Sequence, residues 1–210
     1  MEYNTIKEQI NFEIAWRYKE LKNIEKLYFS NLENRELRIG NSIRNTFENT
    51  PQSKYILRSS IPLIYAHWEG FFKKSIELLN SELDNIIIDF NKLNNLLLVH
   101  LTKDKHKEEY LNKDFKFSEM IVDTESNLSW KVIKKFFLRY GFDIKNILKH
   151  KVDIEKLLKI RNGISHGENA YHFEKFENVE IYIKATIRLM ILIRNMIINC
   201  LIYKTYYKKN

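Results

Sequence analysis

The sequence predicts an all-α helical bundle with long N-terminal and C-terminal helices and no sheet. Three observations predict it. The 210 residues include only 5 Gly and 2 Pro, too few for the closely spaced turns that sheets require. Apolar residues recur at three- and four-residue intervals, the period of one helix face. No stretch alternates apolar and polar residues between turn signals, so no strand is expected.

The elements follow in order. From Ile6 to Leu32, apolar residues at Ile10, Ile14, Ala15, Leu21, Ile24 and Leu27 alternate with Lys and Glu, which predicts one long amphipathic helix. A polar stretch from Asn34 to Thr50 follows, with further helix expected around Ile39 to Phe47. Thr50-Pro51 reads as an N-cap followed by a first-turn proline. The next strong helix is expected from Ser60 to Leu83, with Ser60 capping a new start ahead of Pro62, or else a kink there. Its apolar stripe is Ile64, Tyr65, Trp68, Phe72, Ile76 and Leu79. Asp84 is expected to open another helix to Leu101. The charged segment from Thr102 to Ser126 reads as loop with a short helix at Glu108 to Leu111. Asn127 then caps Leu128 to Tyr140, and Gly141 ends that helix. Short helices are expected at Asp143 to Lys151 and at Ile154 to Arg161, the latter capped by Asp153 and interrupted by Gly163. Phe173 to Tyr206 completes the bundle as one helix, apolar around much of its circumference.

The length suits one domain, residues 1–210. The single cysteine, Cys200, excludes a disulfide framework and a zinc ribbon. The first residues show no secretory signal. The apolar run from Ile187 to Tyr203 is broken by Arg188, Arg194, Asn195 and Asn199, which are costly in hydrocarbon. A helix buried in the core or against a second subunit is expected there, with no membrane partner and a cytoplasmic location. The net charge of +8 favours acidic partners, above all nucleic acid.

The segment that carries chemistry is Arg161-Asn162-Gly163-Ile164-Ser165-His166-Gly167-Glu168. On an unbroken helix a five-residue offset turns about 140° and rises about 7.5 Å, so Arg161 and His166 diverge. Gly163 and Gly167 permit a departure that lets them converge. A neutral imidazole can take the proton of a ribose 2′-hydroxyl, and a guanidinium can hold two oxygens of the phosphorane-like transition state. With the nucleophile supplied by the RNA itself, no metal and no cofactor are needed. The plainer reading has Arg161 capping a helix end or pairing with a carboxylate, and His166-Gly167 as an ordinary helix stop.

Arg-Asn-x-x-x-His resembles the signature of HEPN domains, helical bundles that include many RNA-cleaving toxins and defence proteins. Ile64-Tyr65-Ala66-His67-Trp68-Glu69-Gly70-Phe71 resembles the earlier helix of the MAE-type HEPN subfamily. Glu125-Ser126-Asn127-Leu128, ahead of Tyr140-Gly141-Phe142-Asp143, and His166-Gly167-Glu168 add two matches in the same order. The resemblance implies a HEPN-like bundle that is a metal-independent endoribonuclease and a homodimer, with Arg and His of two subunits facing across a basic groove. It implies Arg161 on the scissile phosphate, His166 as acid/base, and Asn162 orienting one of them or touching RNA. Ser165 and Glu168 complete the candidate set. A toxin or phage-defence effector is expected, with an antitoxin or defence-system partner; the alternative is an inactive HEPN module that binds RNA or protein. HEPN toxins silenced by a nucleotidyltransferase carry tyrosine two residues after the histidine. Glu168 stands there, which argues against adenylylation at that spot, although Tyr171 is near. Glu69, close to the apolar stripe, is a candidate to pair with Arg161 or orient it. His67 falls toward the polar side, as a site residue or a solvated one. The run at 181–203 is too apolar to face water alone, which is a second reason to expect a homodimer.

Overall fold

Three long helices carry the core: α1 (Asn4–Glu33), α2 (Pro51–Asp84) and, at the C-terminal end, α7 (Glu177–Tyr203). The computed structural model describes residues 3–33, 36–39, 42–45, 47, 50–101, 116–125, 127–173 and 175–208, without the side chains of 33, 36–39 and 42–45. Shorter helices complete it: α3 (Asn95–Leu101), α4 (Trp130–Tyr140), α5 (Lys145–Leu148) and α6 (Lys151–Ser165). The helical bundle that the periodicity predicts is the observed fold.

The helices pack by the stripes the sequence lays down. Helix α1 buries Ile6, Ile10, Arg17, Leu21, Ile24 and Tyr28, a three- and four-residue recurrence facing α2 and α7. Helix α2 runs through the middle and buries Trp68, Phe71, Phe72, Ile76 and Leu79 completely. Helix α7 packs most extensively against α2 and then α1, burying Val179, Ile183, Leu189, Met190, Ile193 and Ile197. The charges that interrupt its apolar run lie off this face. Arg194 donates from Nη1 to Asn11 Oδ1 of α1 (3.0 Å), and Arg188 is exposed. Helix α6 docks on α2, which places the Arg161–His166 segment beside the middle helix.

Several boundaries differ from expectation. Residues 36–39 and 42–45 form a two-stranded antiparallel hairpin (β1 Glu36–Ile39, β2 Ser42–Asn45), not helix. Glu36 pairs with Asn45 and Ile39 with Ser42. Four-residue strands are too short for alternation to register. Helix α2 starts at Thr50, whose hydroxyl accepts from the Ser53 N–H (3.1 Å), and runs through Pro62 without a second start. Ser60 instead donates back to the Ile56 carbonyl (2.7 Å). Asp84 ends α2 and opens no new helix. Its carboxylate accepts the backbone N–H groups of Phe117 and Ser118, which fasten a 3-10 turn at Phe117–Glu119 to the end of α2. Helix α7 begins at Glu177 and ends at Tyr203, inside the expected bounds. The helix expected at Glu108 to Leu111 lies outside the described residues.

Gly141 ends α4 as the pattern predicts, in the left-handed region at φ 67°. The reason is tertiary as well as local. A Cβ there would lie 1.9 Å from the Thr205 carbonyl oxygen, because the turn after α7 rests on the end of α4, with Thr205 Oγ1 donating to the Tyr140 carbonyl (2.9 Å). Gly141→Ala combines a left-handed penalty of about 1–2 kcal/mol with overpacking of about 1–3 kcal/mol. Chemical denaturation of the variant should show a loss of about 2 kcal/mol or more, without change in denaturant slope.

Candidate functional site

Helix α6 does not break at Gly163. It continues to Ser165 and closes in a Schellman turn: the His166 N–H reaches the Asn162 carbonyl (2.9 Å), Gly167 reaches Ile164 (3.1 Å) and Glu168 reaches Gly163 (2.9 Å). Gly167, at φ 80°, is the left-handed residue this stop demands. Gly163 serves a different purpose. A Cβ there would lie 2.1 Å from the Tyr171 ring and 2.8 Å from Glu168 Oε2, so its bareness lets the returning chain lie flat on the helix. The glycines therefore end and cover α6; they do not swing Arg161 and His166 together. Within one chain the two side chains diverge, as a continuous helix dictates.

Arg161 turns inward and is half-buried. Its Nη1 donates to Asn162 Oδ1 (2.8 Å) and Asn127 Oδ1 (3.1 Å), which uses both protons of that nitrogen. The guanidinium lies 4.9 Å from the centre of the Tyr65 ring, a cation–π contact. Tyr65 Oη in turn accepts the Leu128 N–H (2.6 Å). One tyrosine thus supports the guanidinium with its ring and fixes the turn carrying Asn127 with its oxygen. Burial pushes the Tyr65 phenol up to about 12, helped by the Glu69 carboxylate and opposed by the Leu128 N–H and Arg161. The phenol stays neutral at physiological pH. Nε and Nη2 of Arg161 make no hydrogen bond among the described residues, so one edge of the guanidinium remains as a two-pronged donor.

The cap of α4 is Ser129, not Asn127. Ser129 Oγ accepts from the Val132 N–H (3.4 Å), and Glu155 of α6 accepts from the Trp130 N–H (2.7 Å). Asn127 is thereby released to face Arg161. Likewise α6 begins at Lys151, and Asp153 sits in its first turn without capping.

Ser165, His166 and Glu168 are all exposed, and the His166 imidazole projects from the helix stop into solvent. Glu69 is half-buried one turn beyond Tyr65, close enough to bear on its phenol, but it forms no ion pair with Arg161, whose partners are the two asparagines. His67 goes elsewhere. It lies about 200° around α2 from Tyr65, 8 % exposed, with its ring edge-on to Trp16 of α1 at 5.5 Å. The polar-side reading fails because α1 covers that side of α2. Arg17 shares the interface, 7 % exposed, paired with Glu13 and set over the Trp16 ring at 4.2 Å.

Burial, and then Arg17, hold the His67 imidazole below its ordinary value, against a smaller opposing pull from Glu20. Between that lowered value and about 6.5, its value in the unfolded chain, the unfolded state binds a proton that the folded state refuses. Stability therefore falls as pH drops below about 6.5. Melting temperatures from pH 7.5 to 5 should decline in the native protein, and His67→Phe, which keeps a ring against Trp16, should flatten that decline.

The family model described as HEPN_MAE_28990-like HEPN matches residues 6–206. The chain belongs to this HEPN family. No curated protein and no solved structure matches it. The match runs from α1 to the turn after α7. The family match suggests an RNase-type or a nucleotide-binding module.

Three residues around Arg161 and His166 escape the sequence patterns. Tyr65 reads as one more member of an apolar stripe, and Asn127 as a cap. Arg58 draws no notice, yet its Nη2 donates to the Glu168 carbonyl across the α2–α6 junction. A signal exists: Arg58, Tyr65 and Glu69, at offsets of seven and eleven, fall within about 20° of one line on α2, the line that faces α6. Among the described residues no group of three His, Cys, Asp or Glu could hold a metal ion.

Proposed function

We propose that this HEPN protein is an endoribonuclease that cleaves RNA without a metal, using the RNA's own 2′-hydroxyl as nucleophile. The observation that carries the reading is the state of Arg161. Two asparagines hold one nitrogen, an aromatic face supports the plane, and the Nε–Nη2 edge is left over in the fork geometry that matches two phosphate oxygens.

In the reaction His166 takes the 2′-hydroxyl proton as the oxygen attacks the adjacent phosphorus. Arg161 neutralises the charge that grows on the phosphoryl oxygens. The departing 5′-oxygen takes a proton from water, and the protonated His166 returns its own to water. The products are a 2′,3′-cyclic phosphate and a 5′-hydroxyl, and no proton is gained or lost overall. Because Arg161 and His166 of one chain diverge, the complete site takes His166 from a second copy. Exposed Ile181, Ile191 and Ile202 on α7 and Phe12 on α1 supply apolar surface for such a dimer. Exposed Lys131, Lys134, Lys156 and Lys159 on α4 and α6 give the surroundings positive charge for RNA. Asn162 orients Arg161. Glu69 acts through Tyr65, and Ser165 and Glu168 lie where RNA would pass His166. The HEPN resemblance supports a role as a toxin or phage-defence effector in the cytoplasm, restrained by a separate antitoxin or defence partner.

The test is incubation of the purified protein with single-stranded RNA in EDTA, beside the same strand carrying one 2′-deoxy position. Cleavage that survives chelation and skips the deoxy position is expected. Retained RNA binding with no product, by a protein that sediments as a dimer, would make it a noncatalytic binding module instead.

A further inference from the structure

The turn carrying His166 has little to hold it. Residues 165–170 are exposed, and the Schellman bonds tie them only to the end of their own helix. Among the described residues two tertiary contacts reach this segment: the Tyr171 ring lies against Gly163, and Arg58, 110 residues away in sequence, donates to the Glu168 carbonyl. Glu168 is the residue whose own N–H closes the turn on Gly163 (2.9 Å). Both main-chain polar groups of Glu168 are therefore held, the N–H by α6 and the carbonyl by α2.

Arg58 lies two helical turns, about 10.5 Å, before Tyr65 on the same line of α2. That line sets Arg161 through the Tyr65 ring and the His166 turn through Arg58. Pro62 stands between them. It lacks the N–H that would bond to the Arg58 carbonyl, so α2 is free to bend at the point where the two supports must fit α6.

We infer that Arg58 is a positioning residue for His166: by holding the Glu168 carbonyl it fixes where the imidazole leaves the end of α6. It does not touch the reacting atoms. This rests on the ribonuclease reading only for its consequence in catalysis; the mechanical part stands by itself.

The experiment compares native protein with Arg58→Ala and Arg58→Lys by two readouts. The first is amide hydrogen exchange across residues 164–172. Loss of a charged donor should speed exchange there about tenfold or more in Arg58→Ala, with the core of α2 and α7 unchanged. Lysine, which can still donate to a carbonyl, should restore part of the protection. Unchanged exchange at 164–172 overturns the inference whether or not the protein cuts RNA. The second readout is RNA cleavage. Misplacement of His166 should lower kcat about 10- to 100-fold with KM nearly unchanged, and Arg58→Lys should recover part of it. A raised KM with native kcat would instead place Arg58 on the RNA and overturn the positioning role. Absence of cleavage by the native protein would remove the ribonuclease reading, while the exchange measurement still decides what Arg58 does.

Discussion

If the protein is the ribonuclease proposed, His166→Ala should lower the rate of RNA cleavage by about 10²–10⁴-fold, the usual worth of a general acid–base group, and should leave the melting temperature where it was. The structure separates the two effects. The imidazole is exposed and makes no hydrogen bond among the described residues, while the helix stop is built from main-chain groups that alanine retains. Single-turnover cleavage and a thermal melt on the same preparation check both halves. A variant that cuts at the native rate would remove His166 from the chemistry; one that melts early would make it a structural cap.

Arg161→Lys should be nearly as damaging as Arg161→Ala, with a loss of about 10²–10³-fold in kcat. Lysine keeps the charge. It lacks the fork, and it lacks the second nitrogen that would let one end be held by Asn127 and Asn162 while the other meets phosphate. Its compact ammonium also stacks less well on Tyr65. A lysine variant with native kcat would reduce Arg161 to a point charge. The pair of substitutions also tests the composite site. Mixing Arg161→Ala chains with His166→Ala chains should restore activity above either alone, because mixed dimers hold one arginine and one histidine around the same phosphate. If mixing restores nothing while dimers exchange freely, each chain must form its site alone.

Much of the fold was legible before any coordinates. Scarce glycine and proline and a three-to-four apolar recurrence imply helices, and burial of those stripes implies a bundle. Thr50-Pro51 and Tyr140-Gly141 marked true ends because capping is local chemistry: a hydroxyl or a bare Cα acts on its own turn. The failures were tertiary choices. Ser60 looked like a start, but α2 runs through it because neighbours on both sides reward an unbroken helix more than Pro62 weakens it. Asp84 looked like a cap and was used on residues 117 and 118. His67 reads as a site residue or a solvated one because the period of α2 does not tell that α1 will lie over that side.

The candidate site divides in the same way. Sequence by itself identified the helical class, the HEPN motif and the chemical types available, a guanidinium and an imidazole beside a carboxamide. It also singled out Gly163 and Gly167, but for a convergence of Arg161 and His166 that the continuous helix does not make. Only the tertiary structure decided that Gly163 makes room for Tyr171, that Asn127 serves Arg161 rather than α4, and that Tyr65 and Arg58 support the two ends of the motif from one line of α2. The physical reason is range. Capping and periodicity act within a few residues, whereas the partner of a half-buried charge is whichever polar group the packing of two helices brings within hydrogen-bond reach, 34 residues away for Asn127 and Arg161 and 110 for Arg58 and Glu168.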